Sequence, residues 1–241
     1  MAGWPSTNNT YPLGMAPYAN HFMYRADARD AYGRCVIDAT AAASAVDQAV
    51  FDDQIHAINM SFSGPDGSSL LHGALQLAHD AGIVLVSSTG NTGENEIRYP
   101  AGYSFVLGVG ALECNIGLQY LADKTRCNGS LRRAPFSTYG FHVGIAAVGS
   151  NVLIDLAGGG AQYADGTSYS APAATAAAAL VMAYWPDSRN RPGAIKNHLE
   201  HTAYTGTPYY NQLYMGAGVL DVEAAINEDP CGWQSCQIGL K

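Results

Sequence analysis

Three short segments carry groups that could attack and polarise a carbonyl. Gly166-Thr167-Ser168-Tyr169-Ser170-Ala171-Pro172 opens an Ala-rich run. A serine in the first turn of a helix sits among backbone N–H groups that lack partners, where the helix dipole favours negative charge. An oxyanion formed there would be stabilised. The same place also suits Thr167 or Ser168 as a plain helix cap. Gly90-Asn91 follows an apolar run. Its amide could donate to a developing oxyanion or could simply hold its own turn. Asn59-Met60-Ser61-Phe62-Ser63-Gly64-Pro65 runs from an apolar segment into a loop. It reads either as an ordinary strand exit or as a backbone edge that pairs with an extended peptide.

Elements placed around these segments decide whether they can meet. His21–Ala26 is predicted as a strand, and Asp38–Phe51 as an Ala-rich helix capped by Asp38 or Thr40. Ile55–Ser61 is a strand. Ser69–Ala81 is a helix with Leu71, Ala74, Leu75 and Ala78 at helical spacing, closed by Gly82. Ile83–Ser88 and Phe105–Ala111 read as buried strands. Further strands fall near Val143–Ala147 and Val152–Leu156, a long helix spans about Thr167–Tyr184, and a last helix starts near Pro192. Strands alternating with helices predict an α/β fold with a mostly parallel sheet covered on both faces. Ligands of such sheets bind beyond the C-terminal strand ends. The loops at Asn59–Gly64 and Ser88–Asn91 leave those ends.

Composition narrows the classes. The 241 residues are 48% hydrophobic and only 13% charged, which excludes disorder, and Gly and Pro interrupt every apolar run long enough to suggest a membrane span. Twelve Lys and Arg are scattered through a chain of net charge −8, so nucleic acid is not an expected partner. A low Lys content with many Gly, Ala, Ser and Tyr suits a secreted protein, although no signal peptide opens the chain. Among five cysteines, Cys231 with Cys236 and Cys114 with Cys127 are spaced as possible disulfides, leaving Cys35 over; the alternative is five thiols.

Taken together, the three segments resemble the subtilisin-like serine protease family. The order Asn-Met-Ser-x-x-Gly, then Gly-Asn, then Gly-Thr-Ser-x-x-x-Pro carries the likeness. Gly14-Met15-Ala16-Pro17, Tyr99-Pro100-Ala101, Val109-Gly110-Ala111, Phe136-Ser137-Thr138-Tyr139-Gly140 and Gly218-Val219-Leu220-Asp221-Val222 add to it. The resemblance implies a three-layer α/β catalytic domain over 1–226, lacking its N-terminal portion, and a tail over 227–241. It implies Ser168 as nucleophile and Asn91 with the Ser168 N–H as oxyanion hole. Ser61, Phe62, Ser63, Gly64, Gly90 and Thr167 would bind substrate, the first four forming the pocket wall for the residue before the scissile bond. Phe62 and Ser63 depart from the more usual Leu-Gly, Ala173 from a frequent His, and Val148 from a frequent Pro. Peptide or ester substrates are implied, with no required cofactor. Asn8-Asn9-Thr10-Tyr11-Pro12-Leu13-Gly14 resembles a structural calcium loop, or is a plain Asn-rich turn.

A serine nucleophile needs a base, usually His held by Asp. In this family both precede the motifs seen here, and Met1-Ala2-Gly3 resembles the end of the His motif. None of the seven histidines is a good substitute. His21 and His56 begin strands, at the wrong sheet end. His72 and His79 share a helix with core residues. His142 precedes a strand, and His198 and His201 lie on the late helix. The sequence therefore predicts a serine peptidase, with an esterase or a weakly active peptide-binding module as alternatives. It also predicts association with an N-terminal segment or self-association.

Overall fold

The computed structural model describes residues 14–51, 55–114, 131–156 and 158–232. Its centre is a five-stranded sheet. Strands β3 (Ala57–Met60), β4 (Val84–Ser88), β5 (Leu107–Cys114) and β7 (Ile145–Val148) run parallel, and β6 (Leu131–Arg133) pairs antiparallel with the end of β5. The period-2 alternation of β4 sends its side chains to two cores. Val84 and Val86 face α3 (Thr167–Tyr184), α4 (Pro192–His201) and α6 (Val222–Asn227), joined by Ala174, Ala178, Val181, Ile195, Leu199 and Ala225. Leu85 packs on the other face with α1 (Ala39–Val50) and α2 (Ser69–Asp80), against Ala42, Val46, Leu71, Leu75 and Ala78. The architecture is the expected three-layer α/β arrangement. The small α3 side chains let its backbone lie close to the sheet, which brings the first turn of that helix to the strand ends.

Helix boundaries follow local chemistry. Asp38 caps α1 by accepting from the Ala41 N–H at 2.8 Å. The end of α2 is closed by Gly82, at φ +96°, whose N–H donates to the His79 carbonyl while Ile83 donates to Ala78. The long helix spans Thr167–Tyr184 as predicted.

His21–Ala26 is not a strand. The first strand is β1 (Asp27–Arg29), paired antiparallel with β2 (Cys35–Ile37). The physical reason lies in the turn between them. Asp30 Oδ1 accepts from the Tyr32 and Arg34 N–H groups, both at 2.9 Å, with Gly33 at φ +78°. That turn fixes a hairpin, whereas 21–26 has no neighbouring strand among the described residues. The strand near Val152 is likewise half of a hairpin, β8 (Val152–Asp155) with β9 (Ala161–Ala164), rather than part of the main sheet. A short α5 (Gln212–Met215) completes the set.

Candidate active site

The chain reaches α3 through a fixed turn. Asp165 accepts from Ser150 Oγ at 2.6 Å and from the Asn151 N–H at 2.8 Å, and these bonds hold its carboxyl below the usual range. Gly166 then donates to the Gly149 carbonyl at 2.8 Å and serves as the N-cap, without a side chain to cap with.

The capping is supplied from a distance. Asn91, on the loop after β4, accepts through Oδ1 from the Thr167 N–H at 2.9 Å and from Thr167 Oγ1 at 2.8 Å. Thr167 Oγ1 in turn accepts from the Gly90 N–H at 3.2 Å. Thr167 is fully buried and holds Asn91 in place. Gly166, not Thr167, is the N-cap of this helix. With Oδ1 committed on one side, the Asn91 Nδ2 group faces the Gly166 turn, 3.5 Å from where a β-carbon on Gly166 would lie. Neither Nδ2 nor the Ser168 N–H has an acceptor among the described residues. Two unengaged donors therefore flank the Ser168 turn, one of them at the positive end of a helix.

Ser168 occupies the second helical position and is half-buried. Its Oγ donates to the Ser61 carbonyl at 3.1 Å, and Ser61 Oγ donates to the Ser168 carbonyl at 2.8 Å. Pro172 explains the second bond. It has no N–H to give to the carbonyl four residues back, which is that of Ser168. Asn59 Nδ2 donates to Ser61 Oγ at 3.0 Å, and Thr175 Oγ1 donates to Asn59 Oδ1 at 3.3 Å, so the strand exit is tied to the helix at two levels. Asn59 was expected only as part of the strand exit; its positioning role shows in the contacts alone.

Ser61, Phe62, Ser63 and Gly64 form the exit itself, all half-buried. Gly64 exchanges backbone hydrogen bonds with Tyr99, both at 2.9 Å. Arg98 lies between this wall and Gly90. A β-carbon on Gly90, which has φ +105°, would fall 2.6 Å from Arg98 Cδ and 2.9 Å from Ser63 Oγ. No sequence motif pointed to Arg98.

All seven histidines fall within the described residues, and none bonds Ser168. His198 is fully buried with Nε2 at 2.8 Å from the Ala225 carbonyl. His201 pairs with Glu228 at 3.2 Å. Both ring nitrogens of His142 are buried without a partner, and desolvation pushes its pKa down. His142 lines a surface cavity of about 460 Å³ together with Lys196 and Glu200, and Ser168 and Asn91 are absent from that cavity. Among the described residues no group of three or more His, Cys, Asp or Glu could hold a metal ion. The calcium-like segment falls outside the described residues except for Gly14. Cys114 and Cys231 are each disulfide-bonded, while Cys127 and Cys236, their expected partners, lie outside the described residues. Among the described residues no helix is long and apolar enough to cross a membrane.

The fold and the paired loops place a helix-borne serine at the C-terminal ends of a parallel α/β sheet. Residues 2–223 match the sequence model of the subtilase family, and the chain belongs to that family. It is 34% identical over 202 residues to a thermostable alkaline protease of Halalkalibacterium halodurans, covering 83% of this chain and 50% of that protein. It is 32% identical over 222 residues to subtilisin DY of Bacillus licheniformis, covering 90% of this chain and 72% of that one. The chain thus spans half the length of the first of these relatives. Among solved structures, the prenylagaramide maturation protease PagA superposes with a TM-score of 0.68 at 26% identity, covering 80% of this chain and 68% of that one. Fervidolysin of Fervidobacterium pennivorans, a keratinolytic enzyme related to subtilisin, gives a TM-score of 0.65 at 26% identity over 79% of this chain and 29% of that one.

Proposed function

We propose that this chain carries the nucleophile and oxyanion-binding half of a secreted serine endopeptidase. The observation that carries the reading is the Asn91–Thr167 pair, which commits Oδ1 of the amide and leaves Nδ2 toward the serine turn. In the reaction, Ser168 Oγ attacks the scissile carbonyl carbon and loses its proton to a base. The carbonyl oxygen becomes an oxyanion that accepts from Asn91 Nδ2 and the Ser168 N–H. Collapse releases the amine and leaves an acyl group on Ser168, which water then hydrolyses. An extended substrate lies along Ser61–Gly64, with its residue before the scissile bond between Phe62, Ser63 and Gly90. These steps use no cofactor. A structural calcium ion at Asn8–Gly14 remains part of the reading.

The base is proposed to be a histidine outside these 241 residues, since none of the seven here bonds Ser168. Loss of that His cost a subtilisin about 10⁶ in turnover. The bond from Ser168 Oγ to the Ser61 carbonyl supports a second reading for the chain as it stands, a weak esterase or peptide-binding module. Activated esters need no proton on the leaving group and so depend less on the base. The bonded state of Cys114 and Cys231 favours an oxidising, extracellular compartment.

The test compares casein cleavage and p-nitrophenyl ester hydrolysis for the chain as given and for one extended upstream by its native sequence. Casein cleavage that appears only in the extended chain, and is lost in Ser168→Ala, supports the proposal. Full casein cleavage by the given chain would refute the missing base, and single His→Ala changes would then locate a substitute.

A further inference from the structure

The pocket proposed for the residue before the scissile bond is floored by a cation. The Arg98 side chain is 17% exposed and packs against Gly90, next in sequence to Asn91. Its Nε donates to Ser63 Oγ at 3.3 Å, its Nη2 to the Ser63 carbonyl at 3.5 Å, and its Nη1 to Glu96 Oε1 at 2.9 Å. The mutual bonds of Gly64 with Tyr99 fix the backbone next to it. Arg98 therefore touches both pocket walls, within one residue of the oxyanion donor on one side and two residues of Ser61 on the other.

A bracing role alone accounts poorly for this arrangement. The two bonds to Ser63 are long, and two of the five guanidinium N–H donors have no partner among the described residues. The one strong partner, Glu96, is 40% exposed and also accepts from Thr92 Oγ1 at 2.9 Å. These two bonds hold the Glu96 carboxyl below its usual range, Thr92 contributing most. Glu96 is thus an accessible, replaceable counter-ion, and a carboxylate arriving from the pocket can share or displace it.

Resting on the pocket reading above, we infer that Arg98 makes this site selective for an acidic residue, Glu in first place, before the scissile bond. A planar guanidinium offers paired donors to a carboxylate and repels Lys or Arg side chains. The length of the Arg98 side chain also shortens the pocket against large aromatic residues.

The test uses N-acyl tripeptide p-nitrophenyl esters that differ only in the last residue, Glu, Gln, Phe or Lys. The expected kcat/KM for Glu exceeds that for Gln by about tenfold at pH 7, and the preference collapses as the substrate carboxyl protonates below about pH 4.3. Arg98→Gln, checked for folding by circular dichroism, is expected to abolish the preference. Glu96→Gln, which keeps the wall and removes the competing charge, is expected to enlarge it. Glu and Gln esters turning over equally in the native chain would overturn the inference, as would unchanged selectivity in both variants. Unchanged ester hydrolysis in Ser168→Ala would instead overturn the underlying site.

Discussion

Ser61, just past the end of β3, and Ser168, in the first turn of α3 and 107 positions away, exchange hydrogen bonds, each hydroxyl donating to the other's carbonyl. The pair joins the strand exit proposed to bind substrate to the first turn of α3. The bond from Ser61 Oγ forms because Pro172 leaves the Ser168 carbonyl without its helical donor.

Ser61→Ala orphans that carbonyl. It is expected to cost about 1 kcal/mol in urea unfolding, since the site is only partly buried and water can substitute. Pro172→Ala restores an N–H. In a double-mutant cycle it should recover more stability in the Ser61→Ala background than in the native one, with a coupling of about 0.5–1.5 kcal/mol. Additivity would show that the two groups do not compete for one carbonyl.

Asn91→Asp keeps the acceptor that Thr167 needs and removes the Nδ2 donors. Ester turnover should fall about 10²–10³-fold in kcat with KM little changed, the size found when one such donor was removed in a subtilisin. A rise in KM at unchanged kcat would mean that Asn91 only binds or builds.

Burial pushes the His142 pKa down, with the Thr89 backbone and the Glu96 charge opposing the shift less strongly. Its folded pKa is depressed, so the unfolded chain binds its proton first as pH falls. The stability is complete above about pH 6.5 and declines below it. His142→Phe, which fills the ring volume without a titrating group, should flatten that part of the fall in urea midpoint between pH 8 and 5. An unchanged slope would assign the acid sensitivity to carboxylates.

Cys35 is exposed and free, whereas Cys114 and Cys231 are bonded. Thiol titration of native protein should give one reactive group per chain and five after reduction and unfolding. The Cys35 thiol donates to Asp27 at 3.4 Å, which raises its pKa, so the reaction should be slow near neutrality. Three or more native thiols would contradict the bonded state.

The sheet and its two helical layers were legible because β4 is a short continuous apolar run, α2 has a clear helical period and α3 is a long Ala-rich run. That Ser168 and Asn91 would come together was legible because each sits at a motif of fixed local geometry. His21–Ala26 misled because strand propensity says nothing about whether a neighbour is present. Arg98 was invisible because it reaches Ser63 only through folding, across 35 residues. The bond of Thr167 to Asn91 was not legible, since burial cannot be read from a motif.

The proposed function requires Ser168 to be the nucleophile beside an oxyanion hole. Its most direct test is reaction with a fluorophosphonate, followed by peptide mapping, on the chain extended upstream. The predicted result is one phosphonyl group per chain, located on Ser168 and absent from Ser168→Ala. Modification of another residue, equal labelling of Ser168→Ala, or no labelling of Ser168 at all would contradict it.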